Sequence, residues 1–464
     1  MENHFDVIIV GAGATGLAAA IDLSSAGASV VVLEARDRIG GRILTRQDGN
    51  GAPIELGAEF IHGLPPEIWQ PLQEHQVPVT EVSGENFCVR QGTLCACDFF
   101  SQVDRILGKM DAGLPDESFK QFLDRAFPDS GRDEKLREAK EWATGYVSGF
   151  NAADPAEVSV HWLIKEMQAD EPIEGERAFR AANGYADVLK IFSAKLNDSR
   201  VPIQLNMPVR EIRWRQGRVE IAAAQVHPVS AGGNAVRESN NSQSFIAPRA
   251  LITLPLGVLQ SQPPAEGAVR FVPDLPPEKS EALEKMSMGE IVRVTLEFRH
   301  RFWEDIHASC AGDSRALSQL SFLFSRDPLF STWWTCMPDP RPVITAWAPA
   351  QSAKQLSGQS EALIVDQALE TLSRLLHVPK IELQRLLKCP YFHDWQSDPY
   401  SRGAYSYAKV GGAEAPRRLG APLADTLFFA GEATDVSGHN GTVHGAIASG
   451  RRAAAEILRK QKNG

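Results

Sequence analysis

Near the N-terminus an almost unbroken apolar run, Phe5–Val10, leads into small residues. A segment follows in which Leu17, Ala20, Ile21 and Ser24 share one helical face, and then comes a second apolar run, Ser29–Leu33. Strands buried on both faces read as continuous apolar runs, and a period near 3.6 marks a helix with one packed side. The pattern predicts strand, turn, helix, strand. It returns at the far end of the chain. Leu427–Ala430 predicts another apolar strand, and Thr442–Lys460 predicts a helix that buries Val443, Ala446, Ile447, Gly450 and Ala454. Between these ends, "GEIVRVTLEF" (Gly289 to Phe298) alternates as a strand does. Val292, Val294, Leu296 and Phe298 share one face, and Ile291, Arg293, Thr295 and Glu297 share the other. Arg293 is thus a cation one step from an apolar wall. Half-polar strands commonly turn that face to water, and the strand alone does not say whether Arg293 faces solvent or a cavity. The polar stretch "PVSAGGNAVRESNNSQ" (228–243) predicts an exposed loop between strands at Arg218–Ala222 and Phe245.

The chain has 464 residues, enough for two or three structural units. Its 43% hydrophobic and 23% charged content is that of a globular protein, and a net charge of −10 argues against a nucleic-acid partner. The six cysteines (Cys88, Cys95, Cys97, Cys310, Cys336 and Cys389) lack zinc-site spacing and are expected to be reduced, with no metal bound. The first strand follows Met1 too closely to leave room for a signal peptide, and no apolar stretch is long enough for a bilayer. The expectation is a soluble, cytoplasmic protein.

The turn after Phe5–Val10 carries Gly11, Gly13 and Gly16. In a dinucleotide cradle the first glycine permits the tight turn, the second lets a pyrophosphate approach the backbone, and the third lets the helix lie on the sheet. The helix N-terminus offers free amides to the phosphates. Glu34 ends the second strand, 18 residues after Gly16, where its carboxylate can accept both ribose hydroxyls. That acid does not separate FAD from NAD. Gly40-Gly41-Arg42 and the C-terminal "AGE" strand end at Gly431-Glu432 favour FAD, because two distant segments closing on one dinucleotide imply a long, buried cofactor.

With these motifs the chain resembles the flavin-containing amine oxidase family, which includes monoamine oxidases, polyamine oxidases and lysine-specific histone demethylases. The resemblance is carried by "VIIVGAGATGLAAA", "LEARDRIGGRI", "ELGAEFIHG", "IQLNMPVREI", "ALITLPLGVL", "VRVTLEFRHRFW", "DWQSDPYSRGAYSY" and "FFAGEATDVSGHNGTVHGAIASGRRAA". It implies an α/β fold in which a Rossmann-like FAD-binding domain (1–64, 195–285 and 395–464) is interleaved with an α+β substrate domain (65–194 and 286–394). The helical stretch 101–194 and the mixed stretch 286–394 fit the two insertions.

The resemblance also implies site residues. Gly11, Gly13, Ala14, Thr15, Gly16, Glu34, Ala35 and Arg36 would hold adenosine and pyrophosphate together with Gly40, Gly41 and Arg42. Val209 would meet the adenine through its backbone. Gly57, Ala58, Glu59 and Phe60 would lie near the isoalloxazine. Gly431 and Glu432 would hold the ribityl or pyrophosphate part, and Thr442 and Val443 would face the ring. Ala404 stands where monoamine oxidases carry a cysteine linked to FAD, so the cofactor is expected to be non-covalent. Tyr405 would form one wall of an aromatic cage whose opposite wall is Thr442, and Trp395 would lie along the flavin. His62 would point into the substrate tunnel. Glu59 would either attract a cationic amine or pair with an arginine. Arg293 occupies the position of a family lysine that holds a water at the flavin. It could hold a water or the flavin edge, or it could receive a substrate carboxylate, since arginine stays charged and presents a planar fork.

The implied reaction passes a hydride equivalent from the carbon beside nitrogen to FAD, gives an imine, and reoxidises the flavin with O2 or another acceptor. With O2 the by-product is hydrogen peroxide. The alternatives are a flavin-dependent carbon–carbon desaturase and an FAD-retaining protein with little catalysis.

Overall fold

The computed structural model describes residues 3–128, 133–228, 236–310 and 313–462. Five strands, β1 (Val7–Val10), β2 (Val30–Leu33), β3 (Ile203–Gln204), β4 (Arg249–Ile252) and β5 (Leu427–Phe429), form an all-parallel sheet in the order β3-β2-β1-β4-β5. Successive residues feed opposite cores. Val7, Ile9, Val30, Val32, Leu251 and Phe428 pack on the helical side. Ile8, Val10, Val31, Leu33, Ile252 and Phe429 pack on the other side, against a second five-stranded sheet. Burial on both faces explains the unbroken apolar runs. The N- and C-terminal ends of the chain therefore share one sheet, with the strand before Thr253 between them.

Helices α1 (Ala14–Ser25), α2 (Glu134–Gly149), α3 (Val160–Asp170) and α4 (Val443–Lys462) bring residues to the candidate site. Helices α1 and α4 cover the parallel sheet side by side. A Cβ on Gly450 would come within 2.3 Å of the Thr15 carbonyl, so glycine sets how closely α4 approaches. Helix α3 starts at Ser159, whose hydroxyl accepts the Trp162 amide at 3.1 Å, an N-cap that fixes where its C-terminal acids fall.

The Arg293 strand, Ile291–Phe298, is second in a seven-stranded sheet and lies between Val343–Pro349 and Leu387–Phe392. Val292, Val294, Leu296 and Phe298 enter one apolar cluster as the alternation predicts. The opposite face is covered as well, so the solvated reading of Arg293 does not hold: Arg293 is 5% exposed. No helix among the described residues is long and apolar enough to cross a membrane.

Two expectations need correction. The stretch 228–243 is not all loop, because a strand at Val236–Ala247 pairs antiparallel with Arg218–Pro228. Backbone pairing tolerates polar side chains where one face of a hairpin meets water. Residues 229–235 lie outside the described residues. The cysteines are not all reduced. Cys88 and Cys97 form a disulfide across a hairpin, Cys95 is disulfide-bonded too, and Cys336 and Cys389 are free thiols. Cysteines paired in this way do not point to a reducing compartment.

Candidate active site

A cavity of about 1270 Å³ begins at the C-terminal ends of β1, β2 and β5 and runs to the seven-stranded sheet and helices α2 and α3. Ligands of open parallel sheets sit at that edge. Its first stretch is walled by Gly11, Gly13, Ala14 and Thr15 at the start of α1, and by Glu34, Ala35 and Arg36 after β2. Gly40, Gly41, Arg42 and Val209 complete this end. Gly16 does not reach the wall. A Cβ there would stand 2.0 Å from the Gly11 carbonyl, so its part is to let α1 close on the strand.

Two glycines leave open space where a side chain would be. A Cβ on Gly13 or Gly431 meets nothing within 4 Å, although both residues line the cavity. Among the described residues no side chain caps the N-terminus of α1, as suits a helix start that meets a ligand. Helix α4 also begins at the cavity, with Val443 and His444 on the wall. Thr442 holds that helix start: its hydroxyl donates to the His439 carbonyl at 2.8 Å and accepts the Gly445 amide at 3.0 Å.

The acids at this end are fixed. Glu34 accepts the backbone amides of Ala12 at 2.8 Å and Arg36 at 3.0 Å. Arg36 donates to Asp398 at 2.7 Å. Burial pushes the Asp398 carboxyl up, but the His393 hydrogen bond and the Arg36 charge outweigh it and hold Asp398 well below the usual carboxylate range. Glu432 accepts Arg42 at 2.8 Å, the Ser406 hydroxyl at 2.6 Å and the Gly441 amide at 3.0 Å. Arg42 also donates to the Ala404 carbonyl at 2.8 Å.

Further in, Gly57, Ala58, Glu59 and Phe60 line the cavity with Trp395, which donates to the Leu56 carbonyl at 2.7 Å. Arg293 is on the same wall. It donates to the Gly57 carbonyl at 3.0 Å and to Glu59 at 2.5 Å. Glu59 thus pairs with Arg293, whose two terminal nitrogens are engaged within the protein.

The far end is aromatic and acidic. The Tyr405 hydroxyl donates to the Phe150 carbonyl at 2.7 Å, and burial pushes its pKa up. Phe150 stacks on Tyr146 at 5.0 Å and meets the edge of His62 at 5.2 Å. Burial lowers His62 to about 4. His444 is lowered to about 3 by burial and by the neighbouring His439 and His62, and its Nε2 has no hydrogen-bond partner among the described residues. Glu166 on α3 accepts the Asn151 amide at 2.6 Å, and burial, followed by the charge of Asp170, holds its carboxyl well above the usual range. Burial likewise raises Asp170. Glu81, Asp104, Glu171 and Glu176 also line the cavity.

The cavity thus gathers every predicted site residue except Gly16. The sequence reading missed Tyr146, Phe150, Glu166, Asp170, Trp334 and His444. One signal was available: Tyr146 with Phe150, and Glu166 with Asp170, are spaced four apart, which puts each pair on one helical face.

A family model described as flavin containing amine oxidoreductase matches residues 14–99 and 107–458. Among curated relatives, polyamine oxidase 4 of Oryza sativa subsp. japonica is 26% identical over 480 residues, covering 98% of this chain and 88% of the relative. Lysine-specific histone demethylase 1 homolog 3 of Arabidopsis thaliana is 28% identical over 519 residues, covering 97% of this chain but only 30% of that longer protein. Among solved structures, a putrescine oxidase bound to putrescine superposes with a TM-score of 0.77 at 22% identity, covering 99% of this chain and 100% of that one. Cyclohexylamine oxidase from Brevibacterium oxydans IH-35A gives 0.75 at 20% identity, covering 99% of each chain.

Proposed function

The chain belongs to the flavin containing amine oxidoreductase family, and on that premise we propose that it is an FAD-dependent enzyme oxidising the C–N bond of an amine to an imine. The observation that carries this reading is the continuity of one cavity. A dinucleotide cradle at one end leads without interruption to a wall of aromatic rings and carboxylates at the other. Oxygen as acceptor, with hydrogen peroxide as by-product, is part of the proposal.

The residues fit FAD. Glu34 is held by two amides at the position for ribose hydroxyls. Gly13 and Gly431 leave the room that a pyrophosphate and a ribityl chain need. The start of α4 would offer partial positive charge to the reducible part of the group. Ala404 supplies no thiol, so binding is non-covalent. Bound there, FAD supplies the two-electron acceptor.

The chain's own groups do the rest. Gly57 has no room for a side chain: a Cβ there would lie 1.9 Å from the Arg42 carbonyl oxygen and 3.2 Å from the Trp395 indole, which keeps this wall narrow. Tyr405, tied to Phe150, presents a fixed ring to orient the amine. His62 stays neutral at neutral pH and does not repel a cation. Glu166 and Asp170 lie on the wall away from the cradle, where an extended substrate would carry a second ammonium. A diamine or polyamine therefore suits this cavity better than a compact monoamine.

The test is product analysis under air with monoamines, diamines, polyamines and amino acids. The proposal expects equal amounts of carbonyl product and peroxide from the di- or polyamines. Flavin-loaded protein that releases neither from any amine rejects it.

A further inference from the structure

A buried arginine on the wall of an amine site would normally favour substrates that carry a carboxylate, because its planar fork binds that group with two hydrogen bonds. Here the fork meets a carboxylate of the protein. Glu59 accepts Arg293 at 2.5 Å and the Trp334 indole N–H at 3.0 Å through one oxygen, and Arg180 at 2.8 Å through the other. The second terminal nitrogen of Arg293 donates to the Gly57 carbonyl at 3.0 Å. Arg293 Nε is buried and has no partner among the described residues, and Arg180 also donates to the Met337 carbonyl at 3.0 Å and the Thr335 carbonyl at 3.1 Å. The Glu59 and Arg293 side chains are 8% and 5% exposed. Burial opposes charge on Glu59, yet Arg293 and Arg180 pull its pKa below the ordinary value, so the carboxylate stays ionised.

We infer that Glu59 determines specificity by occupying the Arg293 fork as an internal carboxylate, closing this wall to substrates that bear an acid beside the amine. Resting on the function proposed above, this narrows the substrate class to amines without an adjacent carboxylate and turns amino acids away. Glu59 touches Arg293 rather than the reacting atoms and is a positioning residue. Arg293 keeps a fixed place beside Gly57 and does not reach for ligand.

The experiment uses Glu59→Ala in the flavin-loaded protein, with formate and benzoate as probes. Removing the carboxylate leaves two arginines around a vacated site. Formate should raise the melting temperature of the variant saturably, sodium chloride at the same ionic strength should not, and the parent should respond to neither. Benzoate should perturb the flavin absorption of the variant with an affinity about tenfold or more above the parent's, the scale of a hydrogen bond to a charged group. Adding Arg293→Gln should remove most of that gain. These readouts need no turnover, so they stand or fall apart from amine oxidation. Glu59→Gln keeps the shape without the charge. It is the second variant if Glu59→Ala does not fold even in formate, and it should show a smaller gain of the same sign. A parent that binds benzoate as well as either variant, or a gain that survives Arg293→Gln undiminished, overturns the inference.

Discussion

Arg42 and Glu432 lie 390 positions apart in the chain and meet as an ion pair at 2.8 Å on the wall of one cavity. The same carboxylate takes the Ser406 hydroxyl and the Gly441 amide, so it also anchors the approach to α4. One acid holds together the loop after β2, the Tyr405 segment and the C-terminal helix.

Glu432→Ala should therefore do more than remove one contact. It leaves Arg42 beside the proposed cofactor without its counter-ion, and breaking such a pair from one side costs about 3 kcal/mol. The expected outcome is a lower melting temperature together with a lower flavin-to-protein absorbance ratio. A fully yellow variant with parental stability would contradict it.

Gly13 and Gly16 should separate binding from packing. Gly13 has an ordinary φ of −74° and open space at its Cβ position, so Gly13→Ala should fold with the stability of the apoprotein but hold FAD at least about tenfold more weakly, since its methyl enters the cradle. Gly16→Ala meets backbone at 2.0 Å and should lose about 2 kcal/mol or more of stability. Denaturation of the two apoproteins and FAD titration of each distinguish the outcomes.

Much of this was legible because it is local. The βαβ unit around Gly11, the apolar β5 and the small-residue start of α4 are short-range patterns of period and punctuation, and their chemistry follows from position along the chain. The substrate wall was not legible. Tyr146 and Glu166 come from helices whose placement depends on long-range packing, for example the Trp162 indole bonded to Asn440 at 3.3 Å. The disulfide was missed because the cysteines were judged by compartment rather than by the hairpin that brings Cys88 to Cys97. Arg293 was recognised as odd in its strand, but its partner Glu59 belongs to a different segment, and only the fold joins them.

Glu166 should show itself through pH. Its folded carboxyl binds a proton more tightly than the unfolded one, whose ordinary value is 4.5. Its contribution therefore favours the folded state at low pH and turns against it as pH rises past that value. The melting temperature of Glu166→Gln should gain on the parent between acid and neutral pH. In turnover, a second ammonium would draw Glu166 into its carboxylate form, so in Glu166→Gln KM for diamines should rise about tenfold while KM for monoamines changes little, as expected for loss of one charge-assisted contact.

The two buried imidazoles should set an acid limit. His62 and His444 are lowered from 6.5 to about 4 and about 3. Between those values and 6.5 the unfolded chain binds more protons, so stability rises with pH across that window and is lost as pH falls through it. The histidine contribution should decline below pH 6.5, against the opposite contribution of Glu166, so His62→Gln should raise the melting temperature at pH 5 relative to pH 7 compared with the parent. An unchanged slope would contradict the burial of His62.

The central claim is that both ends of the chain hold one flavin whose reactive edge opens onto the Tyr405 pocket. The most direct measurement is anaerobic mixing of the purified yellow protein with a diamine. The account predicts loss of the oxidised flavin absorption, with one two-electron reduction per chain and one equivalent of imine-derived carbonyl. A flavin that dithionite bleaches but that no member of an amine panel reduces would contradict it.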